Sequence, residues 1–341
     1  MIRHLKFWLV VAALLMLVSV IAACGSANNP DQGTNGGNET QGTQTETVAD
    51  ETESDEASAS DSWTVNHELG EQSFSAVPQK VVVLDTYLLD IATGLGIEPI
   101  GVASESLEVQ EVPEHLKSLV DYDFTWVGSR KEPSLELIAS LDPDLIVADL
   151  NRHKEAYTEL QNIAPTLVVT GSAAEDWKNI ITIMGDALQM QDEAKAAIDA
   201  YDSKLSEGKE ALQAAGMNGK RVIPLTLYPD QQVRLYTADS YTGNILAGLG
   251  FELAYTADGK PFEGVQAEAL LNVETDEYIL LQSAVYTKDI DGATYPIFSD
   301  LEQVKLGHTQ TVRMEDWAFY RGPIAAELII NETVELFGQV K

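Results

Sequence analysis

The chain of 341 residues has a single cysteine, Cys24, so no disulfide can form within it. Basic residues are scarce: 21 Lys and Arg stand against 54 Asp and Glu, for a formal charge of −33. A surface that acidic does not bind nucleic acid or anionic lipid through its bulk. Four of the five histidines, His67, His115, His153 and His308, lie beyond Cys24 and are widely scattered. That argues against a histidine-rich zinc or manganese site. There is no G-x-S-x-G, P-loop, H-E-x-x-H or C-x-x-C motif. Without a nucleophile–base pair or cofactor fingerprint, the chain reads as a non-enzyme that needs no cofactor of its own. Proline is missing from Glu175 to Gly216; the nearest are Pro165 and Pro224.

That proline-free stretch has helical periodicity. Trp177, Ile180, Ile181, Met184 and Leu188 step by three or four. So do Ala194, Ala197, Ile198, Tyr201, Leu205 and Leu212. The polar run Gln189-Met-Gln-Asp192 marks a break between two helices, with Asp192 expected to cap the second. At 1.5 Å per residue the second helix spans about 36 Å.

At the start, Arg3 and Lys6 precede an apolar run from Phe7 to Val18, followed by Ile21-Ala-Ala-Cys24. A basic end, an apolar centre and small residues read as a secretory signal over 1–23, not as a spanning helix. A lone cysteine directly after Ile-Ala-Ala resembles the bacterial lipoprotein signal. The resemblance implies that Cys24 is lipidated, becomes the mature N-terminus and anchors the protein on the extracytoplasmic face of the membrane. The alternative is an incidental cysteine. Residues 25–62 carry nine Asp or Glu and no Lys or Arg, among Gly, Ser, Thr, Asn and Gln. Such a segment cannot bury enough apolar surface to offset its ordering entropy. Residues 24–62 therefore read as a solvated acidic tether. Loss of the signal removes two basic residues and takes the charge from −33 to −35.

The remaining length suits two domains. Strand candidates at 80–85, 99–103, 144–148 and 166–169 alternate with helical runs ending at Leu95, over 133–140 and over 151–161. This order argues for a mostly parallel sheet covered on both faces. It recurs beyond the proline-free stretch. Asp85-Thr-Tyr87, Gly94-Leu-Gly96 and Glu98 match Asp239-Ser-Tyr241, Gly248-Leu-Gly250 and Glu252 at an offset of 154. Glu136 and Asp144 match Glu268 and Asp276 at an offset of 132. The fold expected is α/β: two pseudo-symmetric three-layer lobes joined by one long α-helix. The lobes are 63–174 and 220–341, with a helical linker over 175–219. Ligand sites in open α/β sheets lie at the carboxyl ends of the strands, so a cleft between the lobes is the expected site.

Arginine is the informative residue there. Only six lie beyond Cys24. Arg221 opens a strand and reads as structural. Of Arg130, Arg152, Arg234, Arg313 and Arg321, several fall at predicted strand ends. A guanidinium stays charged and grips a carboxylate through two parallel hydrogen bonds. These five are candidates for anion binding, against the plain alternative of surface ion pairs. The aromatics Tyr87, Trp126, Tyr241, Trp317 and Tyr320 fall near predicted loop edges, with core packing as the alternative for each. Glu136 and Glu268, equivalent in the repeat, suit docking onto a two-fold partner; alone, each reads as a solvated helix residue.

The run Val127-Gly-Ser-Arg-Lys-Glu-Pro-Ser-Leu-Glu-Leu-Ile-Ala-Ser-Leu-Asp-Pro-Asp-Leu-Ile-Val-Ala-Asp149 resembles the iron–siderophore-binding proteins of ABC importers. Asn151-Arg-His-Lys-Glu-Ala-Tyr157 and Ile163-Ala-Pro-Thr166 resemble their ferric dicitrate branch. So do Leu235-Tyr-Thr-Ala-Asp-Ser-Tyr-Thr-Gly-Asn-Ile-Leu-Ala-Gly-Leu-Gly250 and Trp317-Ala-Phe-Tyr-Arg-Gly-Pro-Ile-Ala-Ala-Glu327. The likeness covers about residues 64 to 340. It implies a class III solute-binding protein, monomeric, with a shallow cleft and small closure. It implies that Arg130, Arg152, Trp317 and Arg321 face the ligand, the arginines holding citrate carboxylates. It also implies that Glu136 and Glu268 meet an ABC permease dimer. At Leu281-Gln-Ser-Ala-Val-Tyr286 the chain departs from the pattern, with Tyr286 or Lys288 as substitutes. The expected cargo is ferric citrate or a similar siderophore. Other readings are a different carboxylate or hydroxamate siderophore, or direct iron binding by Tyr87, Tyr241 or Tyr320.

Overall fold

Alternating valines build the first sheet. In a computed structural model, which describes residues 62–338 except 172, 289, 291, 293 and 294, Val81 and Val83 face one apolar core and Val82 and Leu84 the other. The signal segment, Cys24 and the tether to residue 61 lie outside the described residues. The amino-terminal lobe starts with a hairpin, β1 (Trp63–His67) and β2 (Gly70–Phe74). Then come β3 (Val81–Val83), α1 (Thr86–Gly94), β4 (Gly101–Ser104), β5 (Thr125–Ser129) and α2 (Leu135–Ser140). β6 (Leu145–Asp149), α3 (Leu150–His153), α4 (Tyr157–Gln161) and β7 (Thr166–Val169) complete it. The five strands are parallel in the order β5-β4-β3-β6-β7. Both faces are buried, which the near-continuous apolar strands require. The single helix expected over 151–161 is broken near His153, where a 3-10 turn over Lys154–Ala156 separates α3 from α4. The His153 ring is tied to backbone on both sides: Nδ1 accepts from the Asp149 N–H at 3.0 Å and Nε2 donates to the Arg130 carbonyl at 2.9 Å.

Helix α5 (Asp176–Leu188) packs against β1 and α1. It ends at Gln189, which adopts the left-handed conformation (φ 56°). α6 (Gln191–Ala214) follows, 24 residues and so about 36 Å long. Asp192 does not cap it. The cap position is Met190, with no side-chain bond, and Asp192 sits in the first turn, where its charge complements the helix dipole.

The second lobe holds β8 (Arg221–Leu227), β9 (Gln232–Tyr236), α7 (Tyr241–Gly248), β10 (Glu252–Leu253) and β11 (Phe262–Gln266). A 3-10 segment over Ala267–Asn272 leads to β12 (Glu277–Gln282), then α8 (Glu302–Lys305) and β13 (Thr309–Arg313). A π-helical turn, Glu315–Phe319, precedes α9 (Pro323–Phe337). The sheet order is β11-β9-β8-β12-β13, with β10 beside the start of β8. Here β9 and β11 run antiparallel to their neighbours, so this sheet is mixed rather than parallel.

The repeat is real where it matters mechanically. Asp144 accepts the backbone N–H groups of Gln79 and Lys80, and Asp276 accepts that of Arg221. Each aspartate thus ties the entry of one central strand to its neighbour. Gly96 and Gly250, just past α1 and α7, both take positive φ (76° and 99°), where a side chain is strained.

Each lobe has an apolar core of its own, and a third is shared between them. Val81, Val83, Tyr87 and Leu167 belong to the same buried cluster as Val222, Ile279, Leu281 and Val312. α9 packs along α6 and touches both α1 and α7, so two helices brace the junction. Asp90 on α1, fully buried, accepts the N–H groups of Ile324 and Ala325 at 3.1 and 3.0 Å and pairs with His115 Nε2 at 2.7 Å. A carboxylate of one lobe therefore caps the last helix. Gly322 permits this approach, since a Cβ there would stand 2.0 Å from Asp90 Oδ1.

Candidate functional site

The carboxyl ends of the strands deliver charged side chains to the gap between the lobes. Glu105 follows β4, Arg130 follows β5, and Arg152 lies in α3 directly after β6. From the other lobe come Arg234 in the middle of β9 and Arg321 between the π-helical turn and α9. Arg130, Arg152, Arg234 and Arg321 line one cavity of about 210 Å³, together with Tyr236, Tyr241, Phe262 and Phe319. No acidic side chain lines it. Four cations around so small a volume repel one another unless anions stand behind them or between them.

Buried acids stand behind two of the four. Arg152 Nη1 lies 3.3 Å from Asp85 Oδ2 and 3.1 Å from Asp149 Oδ1. Arg130 Nη1 lies 3.9 Å from Asp85 Oδ2, and its Nη2 donates to Glu105 Oε1. Asp85 and Asp149 are almost wholly buried, and Tyr87 donates its hydroxyl to Asp149 Oδ2 at 2.8 Å. Arg321 rests over the Tyr87 ring at 4.8 Å and Arg234 over Phe262 at 4.6 Å. The buried Nε atoms of Arg130 and Arg321 have no hydrogen-bond partner among the described residues. Burial pushes the His153 imidazole below its ordinary pKa, although its bond to the Arg130 carbonyl opposes this. Neutral His153 can then accept at Nδ1 and donate at Nε2, fixing the backbone of Arg130 relative to β6.

A second cavity of about 780 Å³ has a lining that touches that of the first, through the Glu105–Arg130 pair and the Tyr286–Phe319 contact. Glu105, Tyr286, Lys288, Arg313, Glu315 and Tyr320 are among its lining residues. Burial pushes the Glu105 carboxyl up, against the pull of Arg130. The Tyr286 hydroxyl reaches Glu105 Oε1 at 3.1 Å across the lobes, and its ring meets Phe319 edge-on at 5.5 Å.

The structure thus gathers four of the five candidate arginines in one cavity and puts the fifth, Arg313, in the other. Trp317 is corrected: its ring is fully buried in the shared core and its Nε1 donates to Glu332 at 2.6 Å, so it does not face the cleft. Its polar neighbours suggested exposure, but the π-helical turn directs the indole inward. Tyr87 is also fully buried, acting beneath Arg321, while Tyr241 donates to the Gly322 carbonyl at 2.6 Å. Burial raises the phenol pKa of Tyr87, Tyr241 and Tyr320, which disfavours a tyrosinate ligand to iron. Tyr286 and Lys288 do reach the cleft, at the point where the sequence departs from the resembled pattern. Glu136 and Glu268 are exposed, in α2 and in the 3-10 segment before β12. Glu105, Phe319 and Phe262 were not legible as site residues; only their place at strand ends or beside Arg321 marks them.

The family described as "Periplasmic binding protein" matches residues 81–294. The Fe(3+)-citrate-binding protein YfmC of Bacillus subtilis (strain 168) is 30% identical over 336 residues, 97% of this chain and 96% of that protein. The putative ABC transporter substrate-binding lipoprotein YhfQ of the same organism is 30% identical over 284 residues, 79% of this chain and 86% of that protein. Among solved structures, Staphylococcus aureus SirA complexed with staphyloferrin B superposes with a TM-score of 0.70 at 24% identity, covering 80% of this chain and 97% of that one. That likeness concerns the fold.

Proposed function

The chain belongs to the periplasmic binding protein family, and from that premise we propose that it captures a ferric citrate-type siderophore complex between its lobes and hands it to an ABC permease. Its fold is that of the class III solute-binding proteins, and the family binds solutes rather than transforming them. The observation that carries the ligand class is the set of Arg130, Arg152, Arg234 and Arg321 around one cavity in a chain with 54 acids. Guanidinium groups recognise carboxylates in pairs of parallel bonds. The iron stays in its chelate, and the protein contacts the ligand shell. Among the described residues, no group of three or more His, Cys, Asp or Glu is arranged to hold a metal ion. The match to a ferric citrate-binding relative along nearly the whole chain supports the same reading.

The test is calorimetric titration of the purified protein with ferric citrate, iron-free citrate and a ferric trihydroxamate. Tight, saturable binding of ferric citrate is expected. Binding of the hydroxamate alone sinks the citrate assignment.

The two exposed glutamates, Glu136 and Glu268, support delivery to a permease. Glu136 and Glu268 meet basic residues of a two-fold permease, so Glu136→Arg with Glu268→Arg should lower iron uptake and leave ligand affinity unchanged. Uptake at the normal rate refutes the docking role. Cys24 carries the lipid anchor that keeps a monomeric receptor on the extracytoplasmic face of the membrane. Cys24→Ala should move the protein out of the membrane fraction; continued retention there contradicts the anchor.

A further inference from the structure

The cleft is divided by charge. Its smaller part is lined by four arginines and no acid. Its larger part is lined by Glu105, Glu108, Glu111 and Glu315 against Lys288 and Arg313. The smaller part, about 210 Å³, falls below the roughly 300–1,000 Å³ of ordinary ligand clefts, and the larger falls inside that range. A ligand that fills the cleft therefore has a part beyond the arginines, in acidic surroundings.

Glu105 stands at the division. Only 8% of it is exposed, yet Oε2 has no hydrogen-bond partner among the described residues. Its Oε1 serves both Arg130 and the Tyr286 hydroxyl. A carboxylate arriving at Arg130 takes over the guanidinium that neutralises Glu105. It leaves a buried carboxylate stripped of its counter-charge, next to a new negative group. Leaving a buried charged group unpaired is costly. A ligand avoids that cost if it brings a cationic donor along with its carboxylates.

We propose that the ligand is a ferric carboxylate chelate with a protonated amine arm, and that Glu105 receives the ammonium group as Arg130 turns to the carboxylate. This rests on the carboxylate-chelate reading of the arginine cavity. Exposed Glu108 and Glu111 add the same charge to the lining of the larger cavity. They favour the approach of a cationic arm through long-range attraction, which salt screens.

Three probes test this: ferric citrate, and the iron(III) complexes of citrate amidated at one terminal carboxylate with either 1,2-diaminoethane or propylamine. The two amides differ in an ammonium against a methyl end. The intact protein should bind the ammonium-bearing complex at least tenfold more tightly than the propyl one. Glu105→Gln should bring that ratio close to one. In the double variant Glu108→Gln with Glu111→Gln, on exposed positions that do not endanger folding, the ratio should fall severalfold at low salt. A ratio near one in the intact protein overturns the proposal. So does a ratio that survives Glu105→Gln or, should that variant not fold, one untouched by the double variant. Ferric citrate separates the two levels. If it binds while the ratio is one, only the amine reading falls; if none of the three complexes binds, the carboxylate reading falls with it.

Discussion

Arg321→Ala and Arg152→Ala separate binding from folding. Among the described residues Arg321 makes no ion pair with an acid; its contact is the face of Tyr87 at 4.8 Å. Losing such a cation–π contact costs about 0.5–2 kcal/mol. Its spare buried Nε and its place in the arginine cavity suit the ligand role proposed for it. A charge-assisted hydrogen bond contributes about 1.5–3 kcal/mol. At about 1.4 kcal/mol per decade, ferric citrate affinity should fall about 10- to 150-fold. Arg152 differs, because Asp85 and Asp149 depend on it and are almost wholly buried. Removing one partner of a buried pair costs about 3–5 kcal/mol. Arg152 is 24% exposed, so the lower end of that range applies. Calorimetric titration gives affinity and scanning calorimetry gives stability. At about 2 °C per kcal/mol for a chain of this size, Arg152→Ala should melt roughly 6 °C lower and Arg321→Ala within about 4 °C of the original. The reasoning is refuted if Arg321→Ala keeps ferric citrate affinity within twofold, or if it melts as early as Arg152→Ala.

Three further outcomes are expected. Trp317→Phe removes the bond to Glu332 from the core, so stability should drop by about 1–2 kcal/mol in chemical denaturation; ferric citrate affinity should not move, and a tenfold loss would place the indole at the ligand after all. Asp90→Ala strands two N–H groups of α9 and His115, which should cost about 2–4 kcal/mol and appear as a lower melting temperature; an unchanged melting temperature removes the cap from the account. For His153 the folded protein favours the neutral ring, so its share of stability is present above about pH 6.5 and lost as pH falls through the lower folded value. Gln does not titrate and can keep a donor near the Nε2 position. His153→Gln should therefore flatten the decline in melting temperature below pH 6.5, and an identical slope speaks against it.

The elements were legible because local rules governed them. Val81 to Leu84 alternate between two cores, and the helical stripe of α6 buries Ala194, Tyr201 and Leu212. The arginines were legible through scarcity: six arginines beyond Cys24 in an acidic chain are informative, whereas Glu105, one acid among 54, is not. Trp317 misled because Glu315 and Asp316 beside it look like surface. What escaped the sequence altogether was non-local. No periodicity in α9 says that its N-terminus is capped by Asp90 more than 230 residues earlier. Nor does the repeat reveal that the two lobes share one apolar core.

Under the proposed delivery to a permease, that bracing bears on traffic between the two proteins. With α6 and α9 side by side at the junction, an empty receptor and a filled one should offer the permease nearly the same outline. Posture then cannot distinguish them, and an empty copy can occupy the transporter's mouth as readily as a loaded one. Copy number becomes a setting with an optimum. Too few receptors leave cargo uncollected, and too many form a queue in which vacant carriers delay the full ones.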